Sequence, residues 1–286
     1  MIIFIFSFQL FLIMSNLSPV GWFFYIITQL GSELFFILFL SFIYWVIDDR
    51  LGRRLLYILL PSVWLNSFLK DILQMPRPPP SQRLVSAEGY GFPSGHAQNS
   101  VSLWGYLSTQ IRETWVTITC TILIILISIS RIYLGVHYLH DVLGGLVIGT
   151  LLLIAYLKLE PRLAESLGKL KCIHKILISL LLPPIFILIP YYMFPHPISN
   201  SYLAAMGALS GASIGIILER KYLKFSVEGT LMRRVLRYPL GILILLIILL
   251  IIGKLGVILP ILYTKYFILG LFISLLAPAM FQKLQL

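Results

Sequence analysis

The chain has 286 residues, of which 59% are hydrophobic and 12% charged, and its mean hydropathy is +0.94. Soluble domains carry about a quarter charged residues, so the composition excludes an ordinary globular enzyme and implies a polytopic membrane protein. The net charge of +11 invites a nucleic-acid partner, but the bases fall in short loops between apolar runs and build no basic face, so none is expected.

Residues 1–14 are apolar, Ser15-Asn16-Leu17-Ser18-Pro19 interrupts them, and 20–31 are apolar and aromatic. At about 1.5 Å per residue neither piece alone spans a hydrocarbon core of about 30 Å, so residues 1–29 are read as short helices in or dipping into the outer interface, with one continuous broken span as the alternative. No Lys or Arg precedes Arg50, so the basic region of a secretory signal is not expected. Leu30–Ile47, which contains Glu33, is the first expected span, and Asp48-Asp49-Arg50 through Arg53-Arg54 makes a charged hairpin. Leu55–Leu73 crosses back and ends at Lys70-Asp71 and Met75-Pro76-Arg77-Pro78-Pro79-Pro80. Proline at this density predicts an extended loop, to Phe92. Pro93-Ser94-Gly95-His96 opens the next helix, to about Gln110, with Ser94 as N-cap.

The run 115–129 returns to Arg131, and 139–157 crosses once more. Four further spans are expected near 176–194, 199–218, 238–257 and 265–282, with basic loops at 158–175 and 219–237. Gly207, Gly211 and Gly215, at four-residue spacing, suit close helix packing. Cys120 lies in an apolar run and Cys172 in a basic loop, which fits neither a disulfide framework nor a metal knuckle.

The loops at 48–54, 112–113, 158–175 and 219–237 and the tail at Lys283 share one side and hold 16 of the 22 Lys and Arg residues. The positive-inside rule makes that side cytoplasmic and places the loops at 74–93 and 130–138 outside. Four of the six exceptions, Lys70, Arg77, Arg83 and Arg131, lie in or beside the three polar clusters.

Those clusters end helices on the same expected membrane face. They bring together three cations (Lys70, Arg77, Arg131), Ser94 with the amides of Gly95 and His96, and two imidazoles, His96 and His137. His137 and Asp141 are four apart, hence on one helix face. A helix N-terminus attracts anions through its orphan N–H groups and dipole, and Gly95 has no side chain to obstruct approach. Arg forks grip phosphate oxygens and Lys adds a point charge. Such a cage suits phosphoryl transfer, which needs positioning and charge neutralisation. His137, braced by Asp141, would attack phosphorus as a neutral imidazole, and His96 would protonate the leaving oxygen and later activate water. The cations would repel a divalent ion, and no carboxylate or His/Cys set has ligand spacing, so no metal and no cofactor are expected.

Lys70-x6-Arg77-Pro78, Pro93-Ser94-Gly95-His96 and Ser130-Arg131-x5-His137-x3-Asp141 together resemble the tripartite signature of the type 2 phosphatidic acid phosphatase superfamily. The resemblance covers residues 30–158. It implies an all-α, polytopic transmembrane helix bundle, with 1–29 as an N-terminal segment, 30–158 as the catalytic bundle and 159–286 as about four extra helices. It implies His137 as nucleophile, Asp141 as its orienting partner, His96 as acid–base, and Lys70, Arg77, Ser94, Gly95 and Arg131 as phosphate ligands. Asp71, the Pro-rich run 76–80 and Tyr90-Gly91-Phe92 also look like the long-chain-base phosphate phosphatase branch, although that branch often has Thr where this chain has Gly95.

The expected activity is metal-independent hydrolysis of a lipid phosphate or diphosphate at the extracytoplasmic face, with membrane lipids as surroundings and no obligate protein partner. A bacterial inner membrane is the expected location. The alternatives are a lipid phosphotransferase on the same site, a haloperoxidase, which would need bound vanadate, and a non-enzymatic lipid or anion transporter. Among the remaining polar residues, His140 points about 100° away from Asp141 around a helix and reads as a bystander. Glu33 reads as an interfacial carboxylate and Arg83 as a solvated loop charge. Ser100 reads as a pocket or helix-packing residue, His196 as a rim residue, and Lys254 and Lys265 as snorkelling cations.

Overall fold

Proline, glycine and charge punctuate the apolar runs, and in the computed structural model each run becomes a helix. It describes residues 17–195, 199–255 and 258–286; residues 1–14 and His196 fall outside these. Every regular element among the described residues is helical. Helix α1 (Pro19–Gln29) has Pro at its first position and Ser18 as N-cap, whose Oγ accepts from the Gly21 amide at 3.2 Å. Helix α2 (Glu33–Phe42) runs into a π-turn at Ile43–Ile47. Pro19–Gln29 and Glu33–Ile47 are bent by 54° at the break between them, so residues 19–47 form one bent pair.

Helix α3 is Asp49–Leu73. A helical segment follows as α4 (Gly95–Ser100), a π-turn (Val101–Gly105) and α5 (Tyr106–Gln110). Then come α6 (Thr114–Tyr133), α7 (Leu139–Gly168), α8 (Cys172–Met193), α9 (Asn200–Leu218), α10 (Leu231–Gly253), α11 (Leu259–Leu271) and α12 (Ala277–Lys283). Among the described residues seven helices are long and apolar enough to cross a membrane, or eight if the bent pair is one span. The protein is an all-α, multi-pass membrane protein.

Two expected loops are shorter than the charge pattern implied. Helix α7 continues through Lys158 and Pro161 to Gly168, and its polar end carries ion pairs: Arg54 to Glu160 at 3.0 Å and Lys169 to Glu165 at 2.6 Å. In the stretch 219–237, helix α10 begins at Leu231, capped by the Thr230 hydroxyl. Arg237 is buried there, and its guanidinium donates to the carbonyls of Trp45, Glu228 and Leu286. Lys265 does not snorkel; it is buried and donates to the Leu255 carbonyl at 2.7 Å.

The chain packs as two units. One comprises the described residues up to Phe36 with Leu69–Leu153, the other Ile37–Phe68 with Ile154–Leu286. The second has a core of Tyr44, Trp45, Phe225, Leu245, Phe272 and Phe281. In it Gly207 and Gly211 lie directly on the carbonyls of Tyr263 and Phe267, the close helix packing expected of their spacing. In the first unit, a Cβ on Gly145 would lie 2.5 Å from the Ser94 carbonyl oxygen and one on Gly149 2.7 Å from that of Gln98. Helix α7 therefore sits flush against the start of α4, and the Ser94 amide donates to the Asp141 carbonyl at 2.9 Å.

Candidate active site

The polar clusters all fall in the first unit. Lys70, in the last turn of α3, donates to the Tyr90 carbonyl at 2.9 Å. Arg77, on the loop after α3, spreads its guanidinium over four acceptors. Its Nε meets the carbonyls of Glu88 and Gly89, both at 3.1 Å. Its Nη1 meets the Val136 carbonyl at 3.0 Å and His137 Nε2 at 2.8 Å.

A guanidinium only donates, so His137 Nε2 is the accepting nitrogen and the ring proton sits on Nδ1. That nitrogen faces Asp141 Oδ2 at 3.2 Å, which also accepts from the Tyr138 amide at 3.0 Å. His137 is 3% exposed and Asp141 not at all. Burial, reinforced by the nearby Arg77 charge, outweighs the Asp141 hydrogen bond and holds the His137 imidazole down at about 3. The ring is therefore neutral near pH 7. Burial, with Arg83 nearby, lowers Arg77 to about 10, which leaves it cationic.

The loop that carries Arg77 is fixed by groups that sequence reasoning passed over. Arg83, read as a solvated charge, instead donates from Nε to the Pro78 carbonyl and from Nη1 to that of Ala87, both at 2.7 Å. A proline-rich stretch lacks amide donors for its carbonyls, and the guanidinium supplies them. Leu84 donates to the Leu134 carbonyl at 3.0 Å and Gly91 to that of Met75 at 2.7 Å. Gly135, at φ +69°, lies directly on the Gln82 carbonyl, where any Cβ would collide.

Ser94 is the residue before α4, as its N-cap position required, but its hydroxyl caps nothing. It is fully buried and its Oγ has no partner among the described residues. His96 makes no hydrogen bond among the described residues, and the charges of Arg131, His137, Lys70 and Arg77 all act on its ring. Lys70 in turn feels Arg77, Asp141 and Arg131. Arg131, buried near the end of α6, donates from Nη1 to the Thr28 hydroxyl at 2.6 Å, and its Nε has no partner among the described residues. The structure thus gathers Lys70, Arg77, Ser94, Gly95, His96, Arg131, His137 and Asp141 into one unit, with donors left over at Ser94 and Arg131.

His140 differs from its expected place. Its Nε2 lies 3.1 Å from Asp141 Oδ1, and its ring stacks with Tyr138. It stands in the first turn of α7, where an adjacent side chain curls back to the carboxylate. Ser100 bonds within its own helix, to the Ala97 carbonyl at 2.9 Å, and Glu33 is exposed. Thr28 was missed altogether: a single Thr in an apolar run gives no signal of a buried partner.

Residues 51–164 match the PAP2 superfamily, and residues 203–286 match the transmembrane extension of PAP2 superfamily phosphatases. The chain carries a PAP2 superfamily domain followed by that superfamily's transmembrane extension. It is similar to mouse sphingosine-1-phosphate phosphatase 2, with 36% identity over 60% of this chain and 49% of the relative. It is also similar to Arabidopsis thaliana lipid phosphate phosphatase delta, with 28% identity over 68% of this chain and 51% of the relative. The chain thus spans about half the length of these curated relatives. A crystal structure of a PAP2-type phosphatidylglycerolphosphate phosphatase from Bacillus subtilis aligns over 51% of this chain and 80% of its own, with 28% identity and a TM-score of 0.41.

Proposed function

We propose that the protein hydrolyses a lipid phosphomonoester through a phosphohistidine on His137, without a metal ion and at the extracytoplasmic membrane face. The observation that carries this reading is the line Arg77–His137–Asp141. Arg77 Nη1 stands 2.8 Å from Nε2 and Asp141 Oδ2 3.2 Å from Nδ1, which leaves a neutral ring with its lone pair aimed at a guanidinium that binds phosphate.

An incoming phosphate draws Arg77 onto its own oxygens and so frees that lone pair. Lys70, Arg131, the Ser94 hydroxyl and the amides of Gly95 and His96 take the remaining oxygens. The dianion also supplies the negative charge that stabilises His96 in its protonated form. The His137 Nε2–P bond forms as the ester P–O bond breaks, and His96 gives its proton to the departing lipid oxygen. Asp141 holds the Nδ1 proton and balances the positive phospho-ring. Water then gives a proton to His96 and its oxygen to phosphorus, the P–N bond breaks, and His137 returns to the neutral state. The cations that hold phosphate also repel a divalent ion, which supports the metal-free reading.

The names of the mouse and Arabidopsis relatives support a lipid phosphate, and long-chain-base phosphates come first. The basic loops support the membrane side. Since relatives include mouse and plant proteins, the proposal is confined to the face and leaves the kind of cell open. Phosphate release by the purified chain in detergent, with EDTA, across lipid mono- and diphosphates tests it. His137→Ala is expected to abolish release. Turnover retained in that variant, or lost with chelator, would sink the reading. Label passed to an added alcohol with little free phosphate would make the protein a phosphotransferase.

A further inference from the structure

The matched PAP2 domain begins at residue 51, yet two atoms at the candidate site meet residues well before it. Arg131 Nη1 donates to Thr28 Oγ1 at 2.6 Å, with Thr28 only 3% exposed. Two residues after α1, Gly31 meets a second residue of the site: a Cβ there would lie 2.9 Å from His96 Cδ2 and 3.2 Å from Ile127 Cγ2. Both residues stand at the 54° bend between α1 and α2, and α1 is seated on α6 by Phe24 against Tyr133, ring centroids 4.6 Å apart.

We infer that the bend at residues 28–31 is a working part of the site, in which Thr28 is a positioning residue for the Arg131 guanidinium and Gly31 shapes the space of the His96 imidazole. The inference rests on the phosphatase reading above. Among the described residues the Arg131 guanidinium has few partners: one nitrogen holds Thr28 and Nε holds nothing. A long, flexible cation with one anchor keeps its other donors for a ligand, and the anchor decides where they point. A hydroxyl suits that task, because it accepts from the guanidinium without neutralising it; a carboxylate would cancel the charge that phosphate needs. Gly31 acts by having no side chain. An added methyl there pushes the acid–base ring and leaves the phosphate ligands in place.

The two residues therefore predict different kinetic faults. Thr28→Val keeps the shape and removes the acceptor. It is expected to raise KM for sphingosine 1-phosphate about 10-fold and weaken orthovanadate inhibition to a similar degree, the size of a charged hydrogen bond. Thr28→Ser, which keeps the hydroxyl, is expected to restore both to within about threefold. Gly31→Ala is expected to lower kcat about 10-fold or more with little change in KM, since proton transfer depends on sub-ångström placement. Thermal midpoints in detergent check folding, and Thr28→Ala against Thr28→Ser gives the same comparison if the valine variant misfolds.

Wild-type KM and vanadate inhibition in Thr28→Val, or equal losses in the serine and valine variants, would overturn the Thr28 assignment. Wild-type kcat in Gly31→Ala would overturn that of Gly31. Neither result touches the phosphatase reading, which fails if the wild-type chain releases no phosphate, if His137→Ala still does, or if release is lost with chelator.

Discussion

The guanidinium of Arg77 points straight at the free nitrogen of His137, with Nη1 and Nε2 2.8 Å apart. The same group holds the Glu88, Gly89 and Val136 carbonyls, so its aim is set by three backbone oxygens from two separate stretches of chain. Arg77→Lys keeps the charge but cannot span these acceptors. The expected result is a loss of about 10-fold or more in kcat/KM, with Arg77→Ala losing about 100-fold. A lysine variant with wild-type kcat/KM would show that charge alone is enough.

His137 makes stability depend on pH in a defined direction. Its folded value of about 3 lies below the roughly 6.5 of a free imidazole. Between these values the unfolded chain binds the extra proton, so stability is full above about pH 6.5 and falls as pH drops toward 3. His137→Asn removes that dependence. Thermal midpoints in detergent from pH 7 to 4 are expected to fall less steeply in the variant, and identical slopes would refute the assigned direction.

Helices were legible because apolar runs of spanning length admit few other structures in lipid. Their polar ends were not: α7 runs on to Gly168, and on that end Glu160 meets Arg54, a partner remote in the chain. Within the site, residue type and spacing were enough to expect Lys70, Arg77, His96, Arg131, His137 and Asp141 in one cluster. What holds them could not be read that way. The anchors are backbone carbonyls of Tyr90, Glu88 and Val136, and the lone hydroxyl of Thr28, none of which leaves a mark in residue type. Arg83 was misread for the same reason: its acceptors are carbonyls of a proline-rich loop.

Arg83 offers a test of that loop. Arg83→Ala leaves the Pro78 and Ala87 carbonyls without their donor and frees the segment that carries Arg77. Faster limited proteolysis within 78–90 and a KM raised several-fold, about the effect of one or two lost charged hydrogen bonds, are expected. Unchanged proteolysis would mean that Leu84 and Gly91 suffice to hold the loop.

Gly135 tests the other side of the same contact. Its φ of +69° and its seat on the Gln82 carbonyl leave no room for a side chain. Gly135→Ala adds about 1–2 kcal/mol of left-handed strain and displaces Gln82 or the turn before His137. Both the thermal midpoint and kcat are expected to fall. A variant with normal stability and activity would show that the turn yields without moving His137.

Asp141 and His140 separate a buried partner from an exposed one. Asp141 Oδ2 holds His137 Nδ1 and the Tyr138 amide, while Oδ1 faces His140 Nε2 at 3.1 Å. The His140 side chain is 53% exposed and, although close, makes no hydrogen bond to Oδ1 among the described residues, so solvent screens the contact. His140→Ala is therefore expected to lower kcat less than about fivefold. Asp141→Asn keeps the shape but offers Nδ1 an amide that can force the other tautomer, with the proton on Nε2 and no lone pair for phosphorus. A comparable change in a serine protease costs about 10⁴ in kcat, and a loss of at least about 10³ is expected here. If the two variants lose activity equally, His140 belongs to the machinery of the site and the distinction drawn from burial fails.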